Sequence, residues 1–286
     1  MKYMGSKAKV ARYIVPIIQK QIERSGYETY LEPFCGGCNV IDKIEAPQRI
    51  ASDCNKYLIA LMQHIQAGGE LPGYIEREEY AKVRANRDDY PEWYAGYVGF
   101  VASYNGRFFD GGYSGKTQTT GGLRDYQDEG RRNIEAQRDK LKDVIFLHKD
   151  YRAWNPTGCV IYMDPPYENT KQYKSVEIFD HADFWRVARL WSHDNIVLIS
   201  EQEAPDDFVP VWIHSVTRTM NQNKTIAATE KLFVAKEVLE REENVQALRH
   251  GSESSKAPGA RLADSIQGPR SIPAQAGERD RALRSR

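Results

Sequence analysis

The sequence predicts an α/β fold: a mostly parallel sheet interrupted by one long insertion. Three observations carry this. Strand-like apolar runs alternate with helical periods on both sides of residues 69–141. Three of those runs lead into a glycine pair or an acid, the place where open parallel sheets bind ligands. Between them the alternation stops, and the chain turns aromatic, polar and rich in glycine.

From the N-terminus, Val10, Ile14, Ile17 or Ile18 and Ile22 recur at a helical period across residues 7–23, after the start signal Gly5-Ser6. Residues 29–34 read as a short strand running into Gly36-Gly37. Residues 49–53 read as a second strand ending on Asp53, and 57–65 as an amphipathic helix. Strand, glycine turn, helix, strand, helix is the order of a parallel α/β sheet.

Residues 68–141 carry glycine at 106, 111, 112, 121 and 122 among many aromatics, and read as an insertion rather than sheet. Alternation resumes with strands at 144–147 and 159–163, a helix at 182–191, a strand at 196–200 and late strands at 211–216 and 231–235. After Lys236 the chain is first acidic, then rich in Ser, Gly, Pro, Ala and Arg without period, which predicts a disordered tail. The expected organisation is a catalytic domain from 1–68 and 142–236, an insertion at 69–141 and a tail at 237–286.

Composition narrows the class. No stretch approaches the roughly 20 apolar residues of a membrane span, so no membrane partner is expected. The N-terminus lacks the apolar core of a signal peptide, which predicts a cytoplasmic protein. Four cysteines without regular spacing fit reduced thiols. Lys plus Arg equal Asp plus Glu at 40 each, so a claim of nucleic-acid binding needs local support.

Asp164-Pro165-Pro166-Tyr167 follows the apolar run Val160-Ile161-Tyr162-Met163. An exocyclic amino nitrogen is a poor nucleophile because its lone pair is delocalised into the ring. A carboxylate (Asp164) and a backbone carbonyl (Pro165), each accepting one N–H, localise that lone pair for attack on a methyl sulfonium. The two prolines stiffen the loop, and Tyr167 offers a face for a base taken out of the duplex. A plain turn at a strand end is the bland reading.

Glu32-Pro33-Phe34-Cys35-Gly36-Gly37 follows a strand and is expected to open a helix, with Phe34 placed to pack on an adenine. Asp53 closes the next strand at the distance of a ribose-binding acid. A dinucleotide suits the same arrangement, but the three-glycine fingerprint is missing. Lys2-Tyr3-Met4-Gly5-Ser6-Lys7 sets a flexible glycine before a helix start, a local anion site for the methionyl carboxylate of a cofactor. Cys35 and Cys38 have the spacing of a redox pair or half a zinc site. With no second close pair, no metal site is expected.

In the insertion, Asn105, Arg107, Lys116, Arg124, Arg131 and Arg132 are interleaved with Phe108, Phe109, Tyr113 and Tyr126, a mixture suited to phosphates and unstacked bases. Asp110, Asp125, Asp128 and Glu129 offset most of that charge, and a solvated helical subdomain is the alternative.

Taken together, these motifs resemble the Dam-like, alpha group of DNA adenine N6-methyltransferases. The order is a lysine-glycine-lysine segment (residues 2–7), a Pro-Phe-x-Gly-Gly loop (33–37), an acid with Asn (Asp53, Asn55), an insertion and Asp-Pro-Pro-Tyr. The resemblance covers about residues 1–236. It implies a Rossmann-like sheet dependent on S-adenosylmethionine, a helical target-recognition insertion, and methyl transfer to N6 of a flipped adenine in double-stranded DNA.

It further implies cofactor contacts at Tyr3, Lys7, Phe34, Gly36, Gly37, Asp53 and Asp164, and a base-stacking role for Tyr167. Residues 103–109 are similar to a family stretch near target DNA, and 197–201 to a late sheet strand. A cognate restriction enzyme in the same system is a further implied partner, and no other protein partner is called for. Cys35 and Cys38 depart from the family loop and predict cofactor binding sensitive to thiol reagents. Three alternatives stay open: another amino acceptor (cytosine N4, RNA adenine or protein glutamine), a thiol-disulfide protein using Cys35 and Cys38, and an inactive DNA-binding module that keeps the fold.

Overall fold

Ala11, Ile14, Ile18 and Ile22 form the buried face of α1 (Ala11–Ser25), which stops where Gly26 takes φ 71° and donates its N–H to the Ile22 carbonyl. The structure, a computed structural model, describes residues 1–167, 179–221 and 224–241, and of 216–221 and 224–228 the backbone only. After α1 come β1 (Thr29–Glu32), β2 (Gln48–Asp53) and α2 (Lys56–Gln66). The Asn55 side chain caps α2 by accepting from the Tyr57 and Leu58 amides.

The insertion holds α3 (Arg77–Ala85), α4 (Glu92–Val101), the hairpin β3 (Lys116–Thr119) and β4 (Gly122–Asp125), and α5 (Tyr126–Glu135). Then follow β5 (Val144–His148), β6 (Cys159–Met163), α6 (His181–Ser192), β7 (Ile196–Glu201), β8 (Phe208–Asn221) and β9 (Lys224–Ala235).

The main sheet runs β5-β2-β1-β6-β7-β9-β8. Its first five strands are parallel, and β9 lies antiparallel between β7 and β8. Every residue of β6 and β7 is buried, as expected of central parallel strands covered on both faces. The fold is α/β and Rossmann-like, as the alternation predicts. β1 sits between β2 and β6, with Leu31 paired to both Ile50 and Ile161. The chain builds outward from β1 in one direction and then, from β6, in the other, which opens a crevice at the carboxyl ends of these strands.

Three expectations change. The insertion is not purely helical: β3 pairs with β4, Lys116 opposite Asp125. This hairpin has no inward apolar alternation to betray it, and its Leu123 is exposed. The late strands extend well beyond their apolar stretches, because hairpin hydrogen bonding continues through polar residues from Phe208↔Ala235 to Asn221↔Lys224. Packing also continues past Lys236. Residues 236–241 are helical, Val238 is buried, and the Arg241 guanidinium donates to the carbonyls of Ser192, His193 and Asn195. The rest of the expected tail, 242–286, lies outside the described residues.

Several side chains close the base of the insertion, among them Arg49, which donates to the Lys140 carbonyl at 3.0 Å. Gln66, last in α2, donates to the carbonyls of Leu141 (2.7 Å), Lys142 (3.1 Å) and Val144 (2.7 Å). Among the described residues no helix is long and apolar enough to cross a membrane.

Candidate functional site

The carboxyl ends of the central strands gather acids. Glu32 ends β1, Asp53 ends β2, Asp164 follows β6, Glu201 ends β7 and Glu230 lies on β9. All but half-buried Asp164 are buried. Burial pushes the Glu32 carboxyl up to about 8; the hydrogen bond from Tyr30 (2.6 Å) pulls it back, and the charges of Asp42 and Asp164 raise it further.

Lys7 is set by the turn at Gly5 (φ 82°) and by Ser6, which caps a short 3-10 turn at Lys7–Lys9. Its buried ammonium lies 2.7 Å from Asp164 Oδ1 and 4.5 Å from the centre of the Tyr167 ring. Pro165 is buried, Pro166 exposed and Tyr167 buried. The Tyr167 hydroxyl donates to Glu230 Oε2 at 2.7 Å. Burial, with the charges of Asp164 and Glu230, raises its phenol well above the ordinary range, so the hydroxyl keeps its proton.

The glycine loop is used in an unexpected way. A Cβ on Gly36 (φ 44°) would lie 2.9 Å from the Tyr3 ring, and one on Gly37 would lie 2.9 Å from Tyr3 Cβ and 3.2 Å from the Met1 carbonyl. Both glycines thus admit the N-terminal arm against the loop. No α-helix opens after the loop. Cys38 takes φ 55°, a 3-10 turn at Ile41–Lys43 follows, and the chain enters β2. Cys38 in the left-handed region ends any helical start.

Asp53 accepts from the Gly36 amide (3.2 Å) and from the Asn55 amide (3.0 Å). Burial raises its pKa, and these two backbone bonds work against the rise. Asn55 therefore orients Asp53 by backbone while its side chain caps α2.

Phe34 lies in an aromatic cluster, with ring centres 5.0 Å from Tyr151 and 6.0 Å from both Phe179 and Phe184. Sequence reasoning misses Tyr151, Phe184 and Glu230 as neighbours of the site, and names Glu32 only as the first residue of the glycine-loop motif. Their signal is positional: Glu32 ends a strand, and Tyr151 follows the end of β5.

In the insertion, Asn105 and Arg107 are exposed, and Asn105 takes φ 55°. Lys116 is exposed and 4.0 Å from Asp125. Arg124 is exposed and paired with Glu129, its Nη2 lying 2.9 Å from Oε2; Glu129 also takes Lys2 at 2.8 Å. Arg131 and Arg132 pair with Asp128. A cleft of about 280 Å³ is lined by Lys2, Tyr104, Asn105, Arg124 and Tyr126. Phe108 and Phe109 do not face solvent: both are buried, with Phe108 5.4 Å from Tyr57 and Phe109 5.3 Å from Tyr80. They are core residues that hold the Asn105–Arg107 turn in place.

The thiols are poorly placed for exchange. Cys35 and Cys38 are buried, and a hydrogen bond with Cys38 together with burial keeps the Cys35 thiol well above its ordinary pKa. Thiolate is the reactive form, so the expected sensitivity of this loop to thiol reagents is not supported. Among the described residues no cluster of His, Cys, Asp or Glu is arranged to hold a metal.

Comparisons with known proteins bear on the family. The chain is 30% identical over 94 residues to the Type II methyltransferase M.FokI of Planomicrobium okeanokoites, a match spanning 32% of this chain and 14% of that protein. This chain thus spans only a small share of that relative's length. Two solved structures resemble it in outline. One is a candidate RNA methyltransferase from Pyrococcus horikoshii (TM-score 0.36, 9% identity, 79% of this chain and 81% of that one). The other is a candidate methylase from Haemophilus influenzae (TM-score 0.28, 8% identity, 80% and 87%). Residues 3–190, which run from the N-terminal arm through the glycine loop, the insertion and Asp164–Tyr167 into α6, match the family model for D12 class N6 adenine-specific DNA methyltransferases. The chain belongs to the D12 class N6 adenine-specific DNA methyltransferase family.

Proposed function

We propose that the protein transfers a methyl group from S-adenosylmethionine to N6 of a flipped adenine at specific sites in double-stranded DNA. The observation that carries this is Asp164-Pro165-Pro166-Tyr167 at the carboxyl end of β6, inside a ring of strand-end acids. Motif order supports the Dam-like, alpha group as the subclass. A role in a restriction-modification system, with a cognate restriction enzyme, extends the same reading, as does a cytoplasmic location where the DNA is.

The residues present suit the cofactor. When bound, S-adenosylmethionine supplies an electrophilic methyl group on a sulfonium. Tyr3, Lys7, Phe34, Gly36, Gly37 and Asp53 would hold it. Lys7 provides a cation for its carboxylate, Asp53 an acceptor for a ribose diol, and Phe34 an apolar face for an adenine.

Asp164 accepts one N6 hydrogen and the Pro165 carbonyl the other, so the nitrogen lone pair is withdrawn from the ring and aimed at the methyl. Pro166 holds the loop stiff. Tyr167 stacks on the base, and as the N6–CH3 bond forms and the S–CH3 bond breaks, N6 would give up the proton held by Asp164, which leaves neutral N6-methyladenine. Asn105, Arg107, Lys116 and Arg124 present the insertion to DNA, with Arg124 exchanging Glu129 for a phosphate.

The test is label transfer from S-adenosylmethionine to unmethylated DNA, followed by hydrolysis and mass spectrometry of the bases. N6-methyladenine is the expected product. Label only in N4-methylcytosine, RNA or protein glutamine would move the acceptor, and cofactor binding without any transfer would reduce the chain to a binding module. The buried thiols give no support to thiol-disulfide chemistry.

A further inference from the structure

Tyr167 ends a segment stiffened by two prolines, yet its ring still has to be held in one plane if a base is to stack on it. In the structure the ring meets Lys7 over its face at 4.5 Å and Glu230 Oε2 at its hydroxyl at 2.7 Å. The sheet delivers Glu230 to that point. β9 runs antiparallel to β7 with Lys231 opposite Glu201, the last residue of β7. The residue before Lys231 therefore projects just beyond the carboxyl end of β7, on the side where Asp164–Tyr167 leaves β6. Glu230 is buried there, 63 residues from its partner in sequence.

A phenol that donates to a buried carboxylate loses its freedom to rotate and tilt, because any such motion strands the carboxylate without that donor in a dry environment. The same bond pushes electron density into the ring, which strengthens the attraction of its face for a cation such as Lys7.

We propose that Glu230 is a positioning residue that fixes the plane of the Tyr167 ring for the target base through the phenolic hydrogen bond. This rests on the stacking role proposed for Tyr167. Chemically, Glu230 needs to be an acceptor at that place rather than a charge, so an amide oxygen serves as well.

The experiment compares full-length variants for turnover on unmethylated DNA, with cofactor affinity by calorimetry and thermal unfolding as controls for fold. Glu230→Leu is expected to lower kcat about tenfold while leaving cofactor affinity unchanged, and Tyr167→Phe, which keeps the ring and removes the donor, is expected to lower it equally. Glu230→Gln is expected to restore kcat to within about twofold of the parent. The double variant Tyr167→Phe with Glu230→Leu is expected to be no slower than either single variant, because both break the same bond.

A merely structural role for Glu230 predicts the opposite: losses that multiply in the double variant, or a glutamine as damaging as leucine. Either result overturns the proposal. Tyr167→Ala separates this from the parent reading. Full turnover in that variant refutes stacking itself, whereas lost turnover beside an unaffected Glu230→Leu refutes only the positioning role.

Discussion

One cation, Lys7, touches both ends of the Asp164–Tyr167 segment, 2.7 Å from the Asp164 carboxylate and 4.5 Å from the Tyr167 ring centre. Lys7 is therefore tied to the site by two independent contacts. Asp164→Ala is expected to cut methyl transfer at least about a thousandfold with DNA affinity largely retained, because it removes the acceptor that localises the lone pair. Single-turnover assays beside gel-shift titrations check this, and parent-like turnover would refute the assignment.

Asp53→Ala is expected to weaken S-adenosylmethionine binding about tenfold or more, since it deletes a ribose acceptor and also frees the Gly36 amide it holds. Calorimetry reads this directly. An unchanged dissociation constant would rule out the ribose role.

Gly36→Ala and Gly106→Ala probe the N-terminal arm. The first puts a methyl into the Tyr3 ring, and the second drives one into the Lys2 carbonyl from a backbone at φ 65°. Each is expected to cost about 1–3 kcal/mol and to loosen the arm. Faster proteolysis near the N-terminus is the checkable sign, and parent-like resistance in both variants would show that the arm does not depend on these glycines.

Glu32 makes stability depend on pH. Its folded pKa of about 8 stands above the ordinary 4.5, so between those values the folded chain keeps a proton that the unfolded chain has released. That contribution is complete below the lower value and is lost as pH rises through the upper one, at a slope of at most about 1.4 kcal/mol per pH unit. Glu32→Gln, which still accepts from Tyr30, is expected to flatten the slope. Urea unfolding of both proteins at about pH 5 and about pH 8.5 tests it, and parallel pH profiles would exclude Glu32 as the source.

Truncation separates packed from dispensable residues at the C-terminus. Removal of everything after Arg241 is expected to leave activity intact, since that segment has no apolar period. A cut after Lys236 removes buried Val238 and the Arg241 bonds to the α6–β7 turn, and is expected to cost about 2–4 kcal/mol in thermal or urea unfolding. Equal stability of the two truncations would contradict the packing.

The parts that read well from sequence are those whose environment is uniform. β6 and β7 are buried along their whole length, so they stand out as unbroken apolar runs, and the apolar run ahead of Asp164 is enough to set that acid at a strand end. The β3–β4 hairpin escapes such a reading because neither of its faces is buried. The glycine loop is legible, but its purpose is not: glycine marks a close approach without saying of what, and the neighbour is Tyr3. Phe108 and Phe109 look like exposed aromatics because their polar, glycine-rich surroundings hide the packing against Tyr57 and Tyr80. Glu230 leaves no local signal because its partner, Tyr167, is brought to it only by the order of strands.

Gln66 ties the entry of the insertion to its exit, bonding the carbonyls of Leu141, Lys142 and Val144. The insertion is nonetheless anchored to the sheet domain elsewhere too, with Phe108 on Tyr57 and Glu129 on Lys2. Its exposed β3–β4 hairpin can be lengthened, shortened or exchanged while β2 and β5 keep their register, since there mainly loop-closure entropy changes and that grows slowly with length. Grafts joined at Gln66 and Val144 should carry a foreign DNA preference onto the catalytic sheet when they keep the partners of Tyr57 and Lys2.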